Sequence, residues 1–261
     1  MGFLTDLVER LRRDLDEHPL DDVALMARVA SMPPARDFEA ALRATDPPAL
    51  IAEVKRASPS AGVIAEDANP SVLARDYEAG GAAAISVLTE PRHFQGSLAD
   101  LQAVRSSVSI PVLRKDFLIH PSQVIEARAT GADAVLLIVA AVTDPELHAL
   151  LAAARDLGLA ALVETHSEAD LRRALETDAT IVGVNARDLE SLEVDVAAAL
   201  ARVEAVPEDR IAVLESGIAS RADIDAALRA GASAILVGES LMRADEPARA
   251  VRKLLWKELR T

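Results

Sequence analysis

Eight short runs of aliphatic residues recur along the chain, and segments with helical spacing separate them. The runs lie near residues 50–55, 83–88, 110–115, 134–139, 160–164, 181–184, 211–215 and 234–238. Strands buried on both faces are apolar throughout, so this alternation predicts an α/β fold with a parallel sheet. Eight units at intervals of roughly 20–30 residues favour a single closed (β/α)8 TIM barrel. An open doubly wound sheet is the rival architecture, but no Gly-x-Gly-x-x-Gly follows the first run.

Helix starts and ends fall between these runs. Proline behind a candidate cap residue predicts helix starts at Asn69-Pro70, His120-Pro121 and Asp144-Pro145. Two further starts have the spacing of capping boxes, Ser167 with Asp170 and Ser220 with Asp223. Glycines predict helix ends at Gly80, Gly131, Gly158 and Gly231.

Residues 1–48 precede the first strand and also contain apolar residues at helical spacing, among them Phe3, Leu7, Leu11, Phe38 and Leu42. We expect a helical N-terminal extension that caps the barrel and borders its mouth. No segment has the composition of a flexible linker. Residues 1–261 are therefore predicted to form one domain, with the extension at 1–48 and the barrel at 49–261.

Composition narrows the classes of partner. A formal net charge of -14 argues against nucleic acid and against an anionic membrane. The absence of cysteine excludes disulfides, thiolate metal sites and a cysteine nucleophile. No apolar stretch approaches the ~20 residues of a membrane span, and no signal-peptide core begins the chain. We expect a cytoplasmic enzyme.

Polar residues gather where the predicted strands end. These ends carry Glu53-Val-Lys55, Arg114-Lys115-Asp116-Phe117, Glu164, Asn185 with Arg187, Glu215-Ser216-Gly217 and Gly238-Glu239-Ser240. The carboxyl ends of all strands in a TIM barrel meet at one rim, where active sites lie. Only four of the 28 basic residues are lysines, Lys55, Lys115, Lys253 and Lys257, and the first two lie at strand ends. The rim is therefore the predicted active site.

Five of these residues form a candidate acid–base array: Lys55, Lys115, Glu53, Glu164 and Glu215. A lysine beside carboxylates is either held charged or tuned toward neutrality. A lowered pKa would help a general acid near neutral pH, and a Schiff-base nucleophile is the competing role that spacing alone does not separate from it. The last two strand ends contain glycines that let backbone amides approach an anion, which predicts a phosphate site. Glu239 would contribute its amide there, not its carboxylate.

The five histidines have no metal-ligand spacing. His166 lies near Glu164 in the sequence and could border the mouth of the barrel, but a solvated loop or a helix cap is the favoured position.

These segments together resemble indole-3-glycerol-phosphate synthase. The matches run in order from about residue 49 to 243: Ile51-Ala-Glu-Val-Lys-Arg-Ala-Ser-Pro-Ser60, Leu113-Arg-Lys-Asp-Phe117, Val184-Asn-Ala-Arg-Asp-Leu189, Glu215-Ser-Gly-Ile218 and Val237-Gly-Glu-Ser-Leu-Met242. The first two segments are specific to that family, whereas the Ser-Gly and Val-Gly pieces are shared by many phosphate-binding barrels. Residues 1–48 match only loosely.

The resemblance implies a carboxy-lyase of tryptophan biosynthesis that converts 1-(2-carboxyphenylamino)-1-deoxyribulose 5-phosphate into indole-3-glycerol phosphate. A ring carbon attacks the ribulose ketone, and loss of CO₂ and water completes the indole. Lys115 resembles the general acid of ring closure and Glu164 the acid–base partner of dehydration. Lys55 resembles the lysine that contacts substrate anions and could deliver a proton. Glu53 would position Lys55 or Lys115 and hydrogen-bond the substrate, and Glu215 would bind sugar hydroxyls.

The resemblance also implies how the substrate is held. The anthranilate part would meet Asn185 and Arg187, and its ring would lie among Phe94, Phe117, Leu136 and Leu189. The phosphate would lie among Ser58, Ser216, Gly217, Gly238 and Glu239. No metal or organic cofactor is expected, the partner is a small sugar phosphate, and the chain is expected to be a monomer or weak oligomer.

Departures from the family pattern are few and remove no reactive group. Val54 and Ala57 stand where the family varies, Ala186 replaces a residue that is often Ser, Asn or Thr, and Gln95 stands where glycine is common.

Two rival functions are weighed against this one. The phosphoribosylanthranilate isomerase family has a Cys/Asp acid–base pair, and this chain has no cysteine. A catalytically silent sugar-phosphate binder would need the phosphate site but no proton donor. The presence of Lys55, Lys115 and Glu164 argues against that second reading.

Overall fold

Eight parallel strands close into a barrel. The computed structural model describes residues 2–255. Strands β1–β8 are Ala49–Val54, Ala84–Leu88, Val112–Lys115, Ala134–Ile138, Ala160–Thr165, Ile181–Asn185, Ile211–Glu215 and Ala234–Val237. Each strand pairs with its neighbour in sequence, and β8 closes on β1 with Ala49 opposite Ala234. The TIM barrel and its eight predicted strands are confirmed.

Helices pack outside the barrel and follow the strands in turn. Helices α1–α12 are Phe3–Glu17, Asp22–Val29, Phe38–Arg43, Pro70–Gly80, Leu98–Ser107, Pro121–Thr130, Asp144–Asp156, Glu168–Leu175, Val196–Glu204, Arg221–Arg229, Glu239–Met242 and Pro247–Leu255. A two-residue hairpin pairs Ala57–Ser58 with Gly62–Val63 in the loop after β1. Among residues 2–255, no helix is long and apolar enough to cross a membrane.

The predicted helix starts are confirmed with one shift. Asn69, His120, Ser167 and Ser220 cap their helices as expected. The predicted cap at Asp144 is wrong by one residue, because Thr143 precedes α7 and its N–H donates to Oε2 of Glu146 at 2.8 Å. Gly80 is still helical, and the left-handed residue is Gly81, with φ 102°.

The extension contacts both ends of the barrel. Helix α3 lies against the amino ends of the strands, where Phe38 and Leu42 are buried and Thr180 donates to Glu39. Helix α1 begins at the opposite end, where Oγ1 of Thr5 donates to Oε1 of Glu190 at 2.8 Å. Capping and bordering by this segment are therefore confirmed. The assignment of residues 1–261 to one domain stays a prediction.

The barrel interior below the rim is filled by aliphatic side chains. Ile51, Leu113 and Leu162 are fully buried, and they face inward because they lie two residues before Glu53, Lys115 and Glu164. This packed layer makes the barrel a solid support for the rim instead of a pore.

Candidate active site

A cavity opens at the carboxyl ends of the strands and encloses about 1050 Å³ of empty space, including its open mouth. All the predicted site residues line it: Glu53, Lys55, Ser58, Phe94, Lys115, Phe117, Leu136, Glu164, Asn185, Arg187, Leu189, Glu215, Ser216, Gly217, Gly238 and Glu239. The structure brings them together, and their individual roles stay predictions.

Lys115, the last residue of β3, lies between two carboxylates. Its Nζ is 2.6 Å from Oε2 of Glu164 and 2.5 Å from Oε2 of Glu215. Burial lowers the pKa of Lys115, but the charges of Glu164, Glu215 and Glu53 outweigh burial and hold that pKa above its usual value. Lys115 is therefore held charged in the free protein, which argues against a Schiff-base nucleophile, and the lowering of its pKa that would help a general acid is not found there.

The two carboxylates differ in their affinity for a proton. Burial raises the pKa of Glu164, yet the charge of Lys115 and the contact with His166 outweigh it and hold that pKa well below its usual range. Burial and the neighbouring charge of Glu164 raise the pKa of Glu215 well above its usual range. Two close carboxylates titrate as a pair, and here Glu164 carries the charge while Glu215 holds its proton to higher pH.

Lys55 and Glu53 form a second pair on the opposite side of the cavity. Nζ of Lys55 lies 2.7 Å from Oε1 of Glu53, and both side chains are largely buried. Residues two apart on a strand share a face, so the pair points inward from the end of β1. A Cβ at Gly238 would overlap Oε1 of Glu53, so glycine at the end of β8 leaves room for this carboxylate.

The expected solvated or capping position for His166 is wrong. Its side chain is 6 % exposed, and Nε2 lies 3.0 Å from Oε1 of Glu164. Ser167 is the residue that caps α8. The physical reason is again the two-residue repeat of a strand, because His166 follows Glu164 by two positions and takes the same face.

Aromatic and aliphatic side chains form one wall of the cavity. The ring centroids of Phe94 and Phe117 are 6.2 Å apart, and Phe3 from α1 packs edge-on against Phe117 at 6.3 Å. Contacts between aromatic rings contribute stabilising free energy in addition to that from burial of their surface, so they help to fix the positions of these rings. The carboxylate of Glu90 holds the loop that carries Phe94 by accepting from the N–H groups of His93 and Phe94.

Asn185 and Arg187 border the cavity beyond β6. Oδ1 of Asn185 accepts from the N–H of Arg187, and Nη1 of Arg187 donates to the carbonyl of Leu192 at 2.8 Å. These bonds fix the loop that carries Leu189. Among the residues that the structure describes, the guanidinium of Arg187 makes one hydrogen bond, to the carbonyl of Leu192, and its remaining N–H donors suit a carboxylate ligand.

The ends of β7 and β8 have the backbone geometry that an anion needs. Ser216 and Gly217 are both left-handed, with φ 65° and 73°, and α11 begins directly after Gly238. Oε1 of Glu239 pairs with Nη2 of Arg243 at 3.1 Å, so its carboxylate is occupied and its amide is the group available to a ligand. Consecutive N–H groups in such turns form concave anion sites.

Phe3, Gly183 and Glu90 are among the contributors to the site that sequence reasoning did not name as site residues. Phe3 lies 114 residues before Phe117 in the sequence, so no local pattern links the two. Gly183 lies inside an apolar strand, and a Cβ there would overlap Oε1 of Glu215. Glu90 supports its loop from a buried position. Only Glu90 had a local signal, since it directly follows strand β2 and Thr89.

Lys253 is not among the residues that line the cavity. Lys253 is exposed on α12, and Lys257 lies outside the described residues. Within residues 2–255, no group of three or more His, Asp or Glu side chains could hold a metal ion.

Comparison with solved structures supports the barrel. A crystal structure of 3-hexulose-6-phosphate synthase superposes with a TM-score of 0.65 at 20 % identity, over 79 % of this chain and 97 % of that one. At that identity the likeness concerns the fold alone.

Comparison with sequences reaches further. The protein from Micrococcus luteus named indole-3-glycerol phosphate synthase is 49 % identical over 97 % of this chain and 96 % of its own length. The protein of the same name from Mycolicibacterium vanbaalenii is 50 % identical over 97 % of this chain and 93 % of its own length. A family model described as indole-3-glycerol phosphate synthase matches residues 4–254. The extension and the barrel thus both fall within the match, and the chain belongs to the indole-3-glycerol phosphate synthase family.

Proposed function

We propose that this chain converts 1-(2-carboxyphenylamino)-1-deoxyribulose 5-phosphate into indole-3-glycerol phosphate, with release of CO₂ and water. The observation that carries the proposal is Lys115 held between Glu164 and Glu215 in the same cavity as the anion-binding backbone turns. A binder of sugar phosphates has no use for a buried ammonium between two carboxylates. Family membership supplies the substrate.

Lys115 acts as the general acid of ring closure in this proposal. When a ring carbon attacks the ribulose ketone, negative charge develops on the ketone oxygen. A buried ammonium stabilises that charge strongly and supplies the proton, because low dielectric strengthens the interaction. The raised pKa of Lys115 ensures that the proton is present before the reaction begins.

Glu164 acts in the later proton transfers. Its lowered pKa keeps it ionised, which is the form that a base needs when dehydration removes a proton from the newly closed five-membered ring. Having taken that proton, the same carboxyl group can protonate the departing hydroxyl during dehydration. Glu215 keeps a proton to higher pH, so it can donate a hydrogen bond to a sugar hydroxyl.

Lys55 and Glu53 act on the substrate carboxylate, which Lys55 binds before it is lost as CO₂. An ammonium at Lys55 balances the carboxylate before decarboxylation, and Glu53 fixes the ammonium 2.7 Å away. Arg187 and Asn185 complete the polar wall around the anthranilate part. The ring lies against the wall of Phe94 and Phe117, with Leu136 and Leu189 beside it.

The phosphate lies at the ends of β7 and β8. Backbone N–H groups at Ser216, Gly217 and Glu239 donate to its oxygens, and Ser58 approaches from the loop after β1. The short helix α11 begins at this point, and N–H groups at a helix start are unpaired donors. A small sugar phosphate is thus the proposed ligand, with a cytoplasmic location and a monomer or weak oligomer as the proposed state.

The test is indole formation from the ribulose phosphate. We expect indole fluorescence to rise after the substrate is added to the purified chain, without added metal or cofactor. Inorganic phosphate should compete with the substrate. A chain that binds the substrate by calorimetry but produces no fluorescence would be a silent binder, and the proposal would fail.

A further inference from the structure

The two carboxylates around Lys115 have different second neighbours. Lys115 contacts Oε2 of both, at nearly equal distances of 2.6 Å and 2.5 Å. The other oxygen of Glu164 lies 3.0 Å from Nε2 of His166. The other oxygen of Glu215 is buried and has no hydrogen-bond partner among residues 2–255. His166 is therefore what distinguishes the two acids.

The side chain of His166 is buried, but no hydrogen bond from its ring accounts for that position. Its side chain is 6 % exposed, and neither ring nitrogen makes an aligned hydrogen bond with the residues that the structure describes. The contact with Glu164 is therefore short but poorly aligned. A buried imidazole with unsatisfied nitrogens lowers stability, so stabilisation of the fold does not explain its position.

The backbone around His166 is fixed independently of its ring. The main-chain N–H of His166 donates to Oδ2 of Asp170, which belongs to the capping box of α8. The acids whose charges interact with the ring are Glu164 at the end of β5 and Asp188 in the loop after β6. His166 is not among the residues that line the cavity, whereas its neighbour Glu164 is.

We propose that His166 is a positioning residue that keeps the negative charge of the carboxylate pair on Glu164 and leaves the proton with Glu215. A positive charge or an N–H at Nε2 stabilises the ionised form of the carboxylate beside it. Without His166, the two acids would compete for the proton on nearly equal terms. The inference rests on the proposed function only in treating Glu164 as the base.

The first test compares three substitutions of His166 by turnover. His166→Leu removes the polar nitrogen, His166→Gln keeps an amide nitrogen near the place of Nε2, and His166→Asn keeps one only near the place of Nδ1. We expect kcat of His166→Leu and His166→Asn to fall roughly 10- to 100-fold, the usual effect of losing a supporting partner of a reactive group. KM should change less than about twofold, and His166→Gln should recover most of kcat.

The second test is a double-mutant cycle. His166→Leu should cause no further loss of kcat in a Glu164→Gln background, because its effect passes through that carboxylate. Equal losses in both backgrounds would overturn the proposal, as would full kcat for His166→Leu. His148→Leu, on the exposed face of α7, is the matched control and should behave as wild type. Circular dichroism checks the fold of each variant.

A third measurement does not depend on turnover. Carboxyl carbon NMR of ¹³C-labelled glutamate should show that Glu164 loses its proton at a lower pH than Glu215, and His166→Gln should preserve this pattern. In His166→Asn the two titrations should move toward each other. An unchanged pattern would overturn the role of His166 even if wild-type turnover were absent, whereas absent turnover with the expected NMR change would overturn only the proposed function.

Discussion

The carboxylate of Glu215 occupies the space that a side chain at Gly183 would fill. A Cβ on Gly183 would overlap Oε1 of Glu215, and it would also lie 3.3 Å from Cδ1 of Leu162. Gly183 is inside β6, next to β7 whose last residue is Glu215. Because residue 183 has no side chain, the Glu215 carboxylate has the space in which it extends toward Lys115.

Gly183→Ala is expected to displace the Glu215 carboxylate and loosen its contact with Lys115. A displacement of about 1 Å at a reacting group costs roughly 10²-fold in rate, so we expect kcat to fall by about that factor. Steady-state kinetics by indole fluorescence measures the change.

A second background isolates the cause. Glu215→Ala removes the overlapping atom, so Gly183→Ala should lower Tm much less in that background than in wild type. If the Tm losses were the same in both backgrounds, strain elsewhere in β6 would be responsible and the proposed overlap would be wrong.

Lys115→Ala is expected to abolish turnover while phosphate binding persists. Loss of the proton donor should cost roughly 10²- to 10⁴-fold or more in kcat. Lys115 lies at the end of β3, away from the turns after β7 and β8, so inorganic phosphate should still bind by calorimetry. Lys253→Ala, on the outer helix α12, is the matched control. Near-normal turnover of Lys115→Ala would refute its assignment as the acid.

The barrel could be predicted because its strands must be apolar on both faces and short. That requirement leaves eight separated runs in the sequence, and polar residues such as Lys115 and Glu164 then mark the strand ends. The two-residue repeat also predicts that Glu53 and Lys55 share a face. The same repeat applies to Glu164 and His166, and applying it there would have placed His166 against the carboxylate.

Other features of the site depend on distances that no local pattern contains. Phe3 reaches the cavity because α1 is held to the loop after β6 by the contact of Thr5 with Glu190. Gly183 has an ordinary position in its strand, and only the neighbouring carboxylate makes its lack of a side chain necessary. The pKa difference between Glu164 and Glu215 also follows from tertiary contacts, because both are glutamates that end buried strands.

Acid should weaken the attachment of α1 to the barrel. The hydrogen bond from Arg12 and the backbone bond from Thr143 lower the pKa of Glu146 to about 2 from its usual value. A carboxylate with a depressed pKa adds stability above the unfolded-state pKa of about 4.5, and that stability is lost as the pH falls toward 2. Glu146→Gln keeps the capping box of α7 but not the ion pair.

The Tm difference between wild type and Glu146→Gln should therefore be largest near pH 7 and shrink between pH 5 and pH 3. Scanning calorimetry across this range measures it. Asp178→Asn serves as the control, because its pair with Arg155 is largely exposed and adds little stability. A Tm difference that stays constant with pH would show that the ion pair is not the source.

Gly217→Ala is expected to weaken phosphate binding more than it weakens the fold. Gly217 has φ 73°, and a Cβ there would lie 2.5 Å from Cγ2 of Val196. Gly231 has φ 94° with no atom within 4 Å of a Cβ, and it is absent from the cavity lining. Both substitutions strain a left-handed residue at a cost of about 1–2 kcal/mol, so their Tm losses share that part.

Only Gly217→Ala also moves amides that contact the phosphate in the proposed complex. Losing one hydrogen bond to a charged group costs about 1.5–3 kcal/mol, which corresponds to roughly a 10-fold or larger rise in KM. We expect Gly231→Ala to keep the wild-type KM. In phosphate titration by calorimetry, Gly231→Ala should bind phosphate as wild type does, and Gly217→Ala should bind it more weakly. If the two variants had equal KM values, the proposal that the phosphate binds at the end of β7 would be wrong. The backbone strain that both variants share would then explain the whole effect of Gly217→Ala.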